Sequence, residues 1–145
     1  MHYSAIPYIY IMLHAANLDI KNREDIKLLV DTFYHKLSKD ELLKDIFFNR
    51  LGHGDWQHHL DTIYNFWESV LFQHPTYKGQ SFLPHFTLNL YQYHFDQWLK
   101  LFGESIDEHF TGEVAEDAKK KANTMAILFM SKINHYREHG GTPLM

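Results

Sequence analysis

The stretch that decides the fold is residues 56–67, WQHHLDTIYNFW, which contains neither glycine nor proline. Apolar side chains recur in it at positions 56, 60, 63 and 67, which is the spacing of one face of an α-helix. His59 lies four residues before Ile63 and therefore borders the same face. The stretch predicts an amphipathic helix that presents indole rings and an imidazole on one side.

Helical spacing continues on both sides of this stretch, and no segment shows the convincing alternation of a β-strand. Upstream, Asn22 precedes an acidic first turn, and apolar residues recur at positions 26, 30, 33 and 37. Ser38 and Glu41 have the spacing of a capping box and predict a short second helix that carries Ile46. Downstream, two long amphipathic helices have apolar residues at positions 91, 95, 98, 102 and 106, and at positions 118, 122, 125, 129, 133 and 136. The fold class is therefore predicted to be all-α.

Residues 75–89 interrupt the helical pattern, because they include Gly79 and Pro84 and show no sustained period. His85 lies in this irregular segment. An imidazole held by a short turn can be directed at a metal ion while its second ring nitrogen bonds a backbone carbonyl. A histidine in a helical protein is more often a surface or core residue, so His85 becomes informative only together with other positions.

Three groups that can donate a hydrogen bond are predicted to face His85 across an apolar pocket. They are the phenol of Tyr34, the indole N–H of Trp98 and the imidazole of His59. Each of them also has an ordinary interpretation as a core or boundary residue. Aromatic residues make up 16% of the chain, which fits a large core or a flat ligand equally well. The pocket would suit a flat, hydrophobic ligand that carries a metal.

The composition excludes several classes of protein and leaves others open. The chain has no cysteine, which rules out disulfides, thiolate metal sites and iron–sulfur clusters. A net charge of −4 without a long basic run gives no electrostatic case for nucleic acid. A helical bundle that binds a metal through several of the 12 histidines stays an alternative, although no Glu-x-x-His motif occurs and only His135 and His139 have i, i+4 spacing. A helical interaction protein without a cofactor is a third possibility.

The N-terminal segment decides the expected location. Residues 6–16 are apolar, but crossing a bilayer takes about 20 such residues. No lysine or arginine precedes Lys21 and no clear cleavage site follows, so we do not expect a signal peptide. We expect residues 1–18 to be a poorly ordered extension, residues 19–139 one domain and residues 140–145 a tail. The protein is therefore predicted to be cytoplasmic, with no membrane attachment.

Five segments of the chain match a known family in order and approximate spacing: DTFY at 31–34, WQHH at 56–59, NFW at 65–67, YKGQSFLPH at 77–85 and WLKLF at 98–102. They resemble the group III truncated haemoglobins, and the resemblance runs from about Ile20 to Tyr136. Members of group III lack the paired-glycine hinges of the other truncated groups, and the only Gly-Gly pair here lies at positions 140 and 141. The resemblance implies a small truncated globin in which two helices pack on two, with haem b sandwiched between them.

The resemblance also implies a role for each residue of the predicted pocket: His85 as the proximal ligand of the haem iron, Tyr34 as the distal phenol with Phe33 beside it, His59 as the distal-helix histidine, Ile63 as the apolar residue one turn later, and Trp98 as the indole that faces the gas ligand. His58 adjoins His59, and a slip of one residue would exchange the two. The helical period favours His59, because His58 points about 100° away from the face of Ile63.

These roles imply a haem protein that binds O2, CO and NO at ferrous iron. Hydrogen bonds from Tyr34 and Trp98 would hold O2, and each is worth on the order of 1–3 kcal/mol in a dry pocket. Such retention favours reactivity or sensing over transport. Nitric oxide dioxygenation or peroxidase-like chemistry would then take its electrons from a separate reductase, because we expect no reductase domain in this chain.

Overall fold

The computed structural model describes residues 17–49, 56–73 and 89–139. In these ranges the chain forms four α-helices, which are α1 (Arg23–Lys39), α2 (Trp56–Phe72), α3 (Gln92–His109) and α4 (Glu113–Glu138). A single π-helical turn, Asp45–Asn49, lies between α1 and α2. The β-pairing of the described ranges is limited to an isolated bridge between Leu18 and Phe110. The prediction of an all-α fold is confirmed.

The helices pack in two layers of two. α1 packs against α2 and α3, α3 packs against α4, and α2 also meets α4. Buried side chains of all four helices form the main core: Ile26, Leu29, Val30, Phe33 and Leu37 from α1, Ile63, Tyr64 and Trp67 from α2, Leu101, Phe102 and Ile106 from α3, and Ala115, Ala118 and Ala122 from α4. Alanines on the inner face of α4 let its backbone approach the large rings of the other helices. The predicted two-on-two arrangement of a truncated globin is confirmed.

The two ends of α1 show one correct and one wrong prediction. The Asn22 side chain accepts a hydrogen bond from the backbone N–H of Asp25 at 2.9 Å, as a helix cap should. Ser38, however, still lies inside α1, and its hydroxyl donates to the His35 carbonyl at 2.6 Å. The predicted capping box at Ser38 is therefore wrong. Asp40 caps the next turn instead, because its carboxylate accepts from the backbone N–H of Leu43 at 3.0 Å.

The start of α4 is held by a residue from the other end of the chain. The Asp19 carboxylate accepts hydrogen bonds from the backbone N–H groups of Val114 at 2.9 Å and Ala115 at 2.8 Å. Gly112 has a φ of 146° and lies against the Asp19 carboxylate, so a side chain at position 112 would be strained and would also collide. An anionic cap satisfies two of the free N–H groups and complements the positive end of the helix.

A second, smaller core cluster joins the start of α3 to the second half of α4: Leu90, Phe95, Ala126, Met130 and Ile133. His94 lies beside this cluster and is buried, with 8% of its surface exposed. Its Nδ1 accepts the backbone N–H of Tyr91 at 2.9 Å, which is otherwise a free group at a helix start. His94 therefore caps the start of α3 from a buried position.

Candidate functional site

A wall of aromatic rings connects the predicted pocket residues of α1 and α3. Phe33 is buried, and its ring meets those of Tyr34 and Trp98 edge to face at centroid distances of 5.7 and 5.5 Å. Edge-to-face pairs stabilise by roughly 0.5–1.5 kcal/mol beyond the burial of their area. Phe33 therefore fixes the positions of both predicted hydrogen-bond donors on its helix and on α3.

Tyr34 carries the most buried polar group of this wall. The residue is 9% exposed, and burial raises the pKa of its phenol. Its hydroxyl lies 3.3 Å from Nε2 of His59 across the α1–α2 interface. A phenol with a raised pKa keeps its proton at every physiological pH, so Tyr34 can act only as a neutral hydrogen-bonding group.

His59 is the partner of Tyr34, and the wall determines its charge. The Trp56 indole stacks on the imidazole at 5.1 Å, with the two planes 29° apart. Burial lowers the pKa of His59, and the neighbouring His58 lowers it further. His58 itself is exposed. The structure therefore brings His59 to Tyr34 as a neutral imidazole.

The neutral imidazole allows two hydrogen-bonding patterns with Tyr34. In one, the phenol donates to Nε2 and the ring proton resides on Nδ1. In the other, Nε2–H donates to the phenol oxygen, and the phenolic hydrogen is free to point elsewhere. The pair can thus switch the Tyr34 O–H between an internal partner and an incoming ligand without moving any charge.

Ile63 and Trp98 complete the predicted set that lies within the described ranges. Ile63 is 4% exposed and belongs to the main core, one turn after His59. Trp98 is half-buried and packs against the core through Phe102, whose ring is parallel to the indole at 5.6 Å. Among residues 17–49, 56–73 and 89–139, none forms a hydrogen bond with the Trp98 indole. That N–H can therefore serve a ligand.

One predicted site residue lies outside the described residues, namely His85. Residues 74–88 are not among those described, so the assignment of His85 as the proximal ligand stays a prediction. Phe48 is a further residue of this aromatic wall that the sequence patterns do not single out, and its ring lies 5.2 Å from Trp56 and 6.4 Å from Tyr34. The adjacent pair Phe47 and Phe48 was the available signal, but the π-helical turn that aims Phe48 has no helical period to reveal it.

The alternative of a metal-binding bundle gains nothing from the structure. Across the described part of the chain, no group of three or more histidine, aspartate or glutamate side chains is arranged to hold a metal ion. His135 and His139 stack on each other at 4.1 Å near the end of α4, and no described residue offers them a third ligand. Within the same ranges, no helix combines the length and the hydrophobicity that crossing a bilayer requires.

Comparison with known proteins gives a consistent result. The model of the bacterial-like globin family matches residues 19–135. A group 3 truncated haemoglobin of Campylobacter jejuni is 35% identical over 121 residues, which cover 81% of this chain and 95% of that protein. The crystal structure of the group III truncated haemoglobin from Campylobacter jejuni aligns with a TM-score of 0.67 at 33% identity, covering 78% of this chain and 91% of that one. The chain belongs to the group III truncated haemoglobins, and haem-based binding of diatomic gases follows from that family.

Proposed function

We propose that this globin binds O2, CO and NO at ferrous haem b and retains O2 through hydrogen bonds from Tyr34 and Trp98. The observation that carries the proposal is the buried Tyr34 phenol, held 3.3 Å from a neutral imidazole inside an aromatic wall. A buried hydroxyl in apolar surroundings needs a partner, and here that partner is one that can release it to a ligand.

The polar groups of the aromatic wall support the proposal that it contacts haem. Its polar groups are a phenol, an imidazole and an indole N–H, which are all neutral hydrogen-bonding groups. The surrounding surface consists of half-buried aromatic and aliphatic side chains packed against the core, among them Phe48, Trp56, Leu60, Trp98 and Leu99. A flat apolar macrocycle with a small, weakly polar ligand matches both properties. We propose that Phe33, Tyr34, His59, Ile63 and Trp98 surround the haem and its ligand and that His85 binds the iron.

Ferrous haem, when bound, supplies an iron with one position free for a diatomic ligand. The chain's own contribution is selective hydrogen bonding. Tyr34 stays protonated because burial raises the pKa of its phenol, and His59 stays neutral because burial lowers the pKa of its imidazole. O2 accepts hydrogen bonds better than CO does, so two donors worth on the order of 1–3 kcal/mol each would favour retention of O2. Phe33 and Ile63, both buried, would limit the entry of water.

Strong retention of O2 suits reaction or sensing better than transport, because a carrier must release its cargo. We therefore propose that the protein converts NO with O2 or acts on peroxide, with electrons from a separate reductase. We also expect it to act in the cytoplasm, where such donors are found. A purified protein without the strong absorption band of haem near the blue edge of the visible spectrum would contradict the whole proposal.

The first test is the substitution His85→Ala in the full chain. We expect the variant to lose haem or to bind it weakly, and we expect added imidazole to restore part of the absorption band, because it can replace the missing side chain. His74→Ala, another histidine next to a proline in the same segment, is the matched control and should keep its haem. An alanine variant at position 85 with a normal five-coordinate ferrous spectrum and no imidazole would refute the proximal assignment.

A further inference from the structure

A stack of three aromatic rings leads from the candidate site into the core. The Trp98 indole lies parallel to the Phe102 ring, at 5.6 Å with the planes 4° apart. The Trp67 indole also stacks on Phe102, at 4.9 Å with the planes 23° apart. Phe102 and Trp67 are only 1% and 3% exposed, so these two rings are closed to water. Two oxidisable indoles are therefore joined through a single intervening ring.

Tyr64 lies one helical turn before Trp67 on α2, which places their side chains on neighbouring positions of one face. Its hydroxyl donates a hydrogen bond of 2.5 Å to Oδ1 of Asp31. The side chain of Asp31 is exposed, so a proton that reaches it can pass on to water. Tyr64 thus combines a buried position one helical turn from an indole with a carboxylate that can accept its proton.

We propose that Trp98, Trp67 and Tyr64 form an electron relay that carries an oxidising equivalent from the candidate site to Tyr64. The proposal rests on the proposed function in one respect, namely that Trp98 faces the bound ligand. The source of the oxidising equivalent would be an oxidant of the peroxide class that is reduced to water at the site. Each peroxide takes up two electrons and two protons. Tyr64 supplies one electron, the haem or the separate electron donor supplies the other, and both protons come from solvent, into which Asp31 can release the proton that Tyr64 loses.

The terminal step balances within the chain. Tyr64 transfers one electron to the oxidised Trp67 indole, which returns from a radical cation to neutral tryptophan. The phenolic proton moves along the existing hydrogen bond to the Asp31 carboxylate. The products are a neutral tyrosyl radical, a protonated Asp31 and a restored Trp67, and the total charge is unchanged. Arg23 and Lys27 lie 5.9 and 5.8 Å from the Tyr64 ring and disfavour a cationic phenol, so the electron and the proton must leave together.

Tyr34 is the competing end point, and its surroundings make it the poorer one. Its hydroxyl faces a neutral imidazole at 3.3 Å, whereas that of Tyr64 faces an anionic carboxylate at 2.5 Å. Oxidation of a phenol becomes easier when a nearby group accepts its proton. Transfer to His59 would create a cation that burial disfavours, whereas transfer to the exposed Asp31 carboxylate cancels a charge and takes place over the shorter distance. We therefore expect the radical to reside on Tyr64.

The test is freeze-quench electron paramagnetic resonance of the haem-loaded protein after addition of hydrogen peroxide, with tyrosine deuterated to identify the radical. We expect a tyrosyl signal in the wild type and its loss in Tyr64→Phe, which is close to isosteric and should fold. Tyr93→Phe, an exposed tyrosine of α3, is the matched control and should keep the signal. Asp31→Asn should lower the yield, because the amide does not take the proton.

The outcomes separate the relay from the function on which it rests. A tyrosyl signal that persists in Tyr64→Phe, or the absence of a protein radical in the wild type, overturns the relay. A signal that is lost in Tyr64→Phe but is undiminished in Trp67→Phe would overturn the route through the stacked rings. Gas dissociation rates measured on the same preparations test the ligand site independently, since a failed relay with intact O2 retention would leave the proposed function standing.

Discussion

Two tyrosines each form a hydrogen bond between α1 and α2, and their partners differ in charge. At one place Tyr34 of α1 meets the neutral His59 of α2 at 3.3 Å. One turn away Tyr64 of α2 donates to the Asp31 carboxylate of α1 at 2.5 Å. Burial raises the pKa of both phenols, but at Tyr64 the hydrogen bond to Asp31 raises it further.

This difference in charge decides which of the two hydroxyl groups can turn toward a gas ligand. A neutral imidazole can donate or accept, so Tyr34 can turn its hydrogen toward another acceptor at little cost. A carboxylate can only accept, and a charge-assisted bond is roughly twice as strong as one between neutral groups. The salt bridge of Arg23 to Glu68 at 2.9 Å adds a second charged contact beyond Tyr64. We therefore propose that the contact between Tyr34 and His59 is the one that serves the gas ligand.

The largest expected effect is on the dissociation of O2. Tyr34→Phe removes one hydroxyl and keeps the ring, so we expect O2 to leave roughly tenfold faster or more, as a loss of about 1.4 kcal/mol requires. CO dissociation should change much less. Trp98→Phe should act in the same direction, although it also loses volume and can open a cavity. Flash photolysis and stopped-flow displacement measure both rates.

Tyr64→Phe is the matched control for this prediction, because it removes the same atom from the same interface one turn away. Its O2 and CO rates should equal those of the wild type. Equal acceleration of both gases in Tyr34→Phe would point to easier access and not to a lost hydrogen bond. An effect of similar size in both tyrosine variants would break the comparison, since it would mean that any loosening of the α1–α2 interface speeds release.

The next effect is on stability, and here the order of the two tyrosines should reverse. Tyr64→Phe should lower the free energy of unfolding by about 1 kcal/mol, because it removes a short hydrogen bond to a carboxylate. Tyr34→Phe should lower it less, because its bond is longer and joins neutral groups. Chemical denaturation under CO, with Tyr93→Phe as an exposed control, measures the three values. A larger loss in Tyr34→Phe would show that the contact between Tyr34 and His59 mainly stabilises the fold.

How much of this the sequence predicts depends on the range of each interaction. Periodicity predicts all four helices and the joint face of His59 and Ile63, because the helix repeat is local. The Asn22 cap is equally local, since its partner Asp25 is three residues away. Whether Ser38 or Asp40 caps the next turn depends on where α1 ends, which the pattern leaves open by a few residues.

Contacts between distant residues are beyond such patterns. Tyr64 and Asp31 are separated by 33 positions, and the sequence gives no reason to pair them over any other tyrosine and aspartate. Asp19 caps α4 from 95 positions away, and that pairing appears only when the helices are packed. The family resemblance implies that Tyr34 and His59 share the distal side, but the contact between them appears only in the structure. Helix periodicity orients each residue on its own helix without aligning the two helices.

The smallest expected effect concerns pH and the neutral partner itself. Burial lowers the pKa of His59 below its ordinary 6.5, so in acid the unfolded chain takes up a proton before the folded protein does. The free energy of unfolding is therefore undiminished by His59 above pH 6.5. It declines as the pH falls from 6.5 through the lowered pKa of the folded protein. His59→Leu should show a smaller decline. Some decline should remain, because the pKa of His94 is also lowered by burial.

His58→Leu is the control: it should keep most of the dependence, since burial is the larger cause of the shift in the pKa of His59, and it should scarcely alter gas rates. Denaturation midpoints between pH 5 and 8 measure this dependence directly. A decline that disappears in His58→Leu but not in His59→Leu would mean that the two histidines have been exchanged and that His59 is not the neutral partner of Tyr34.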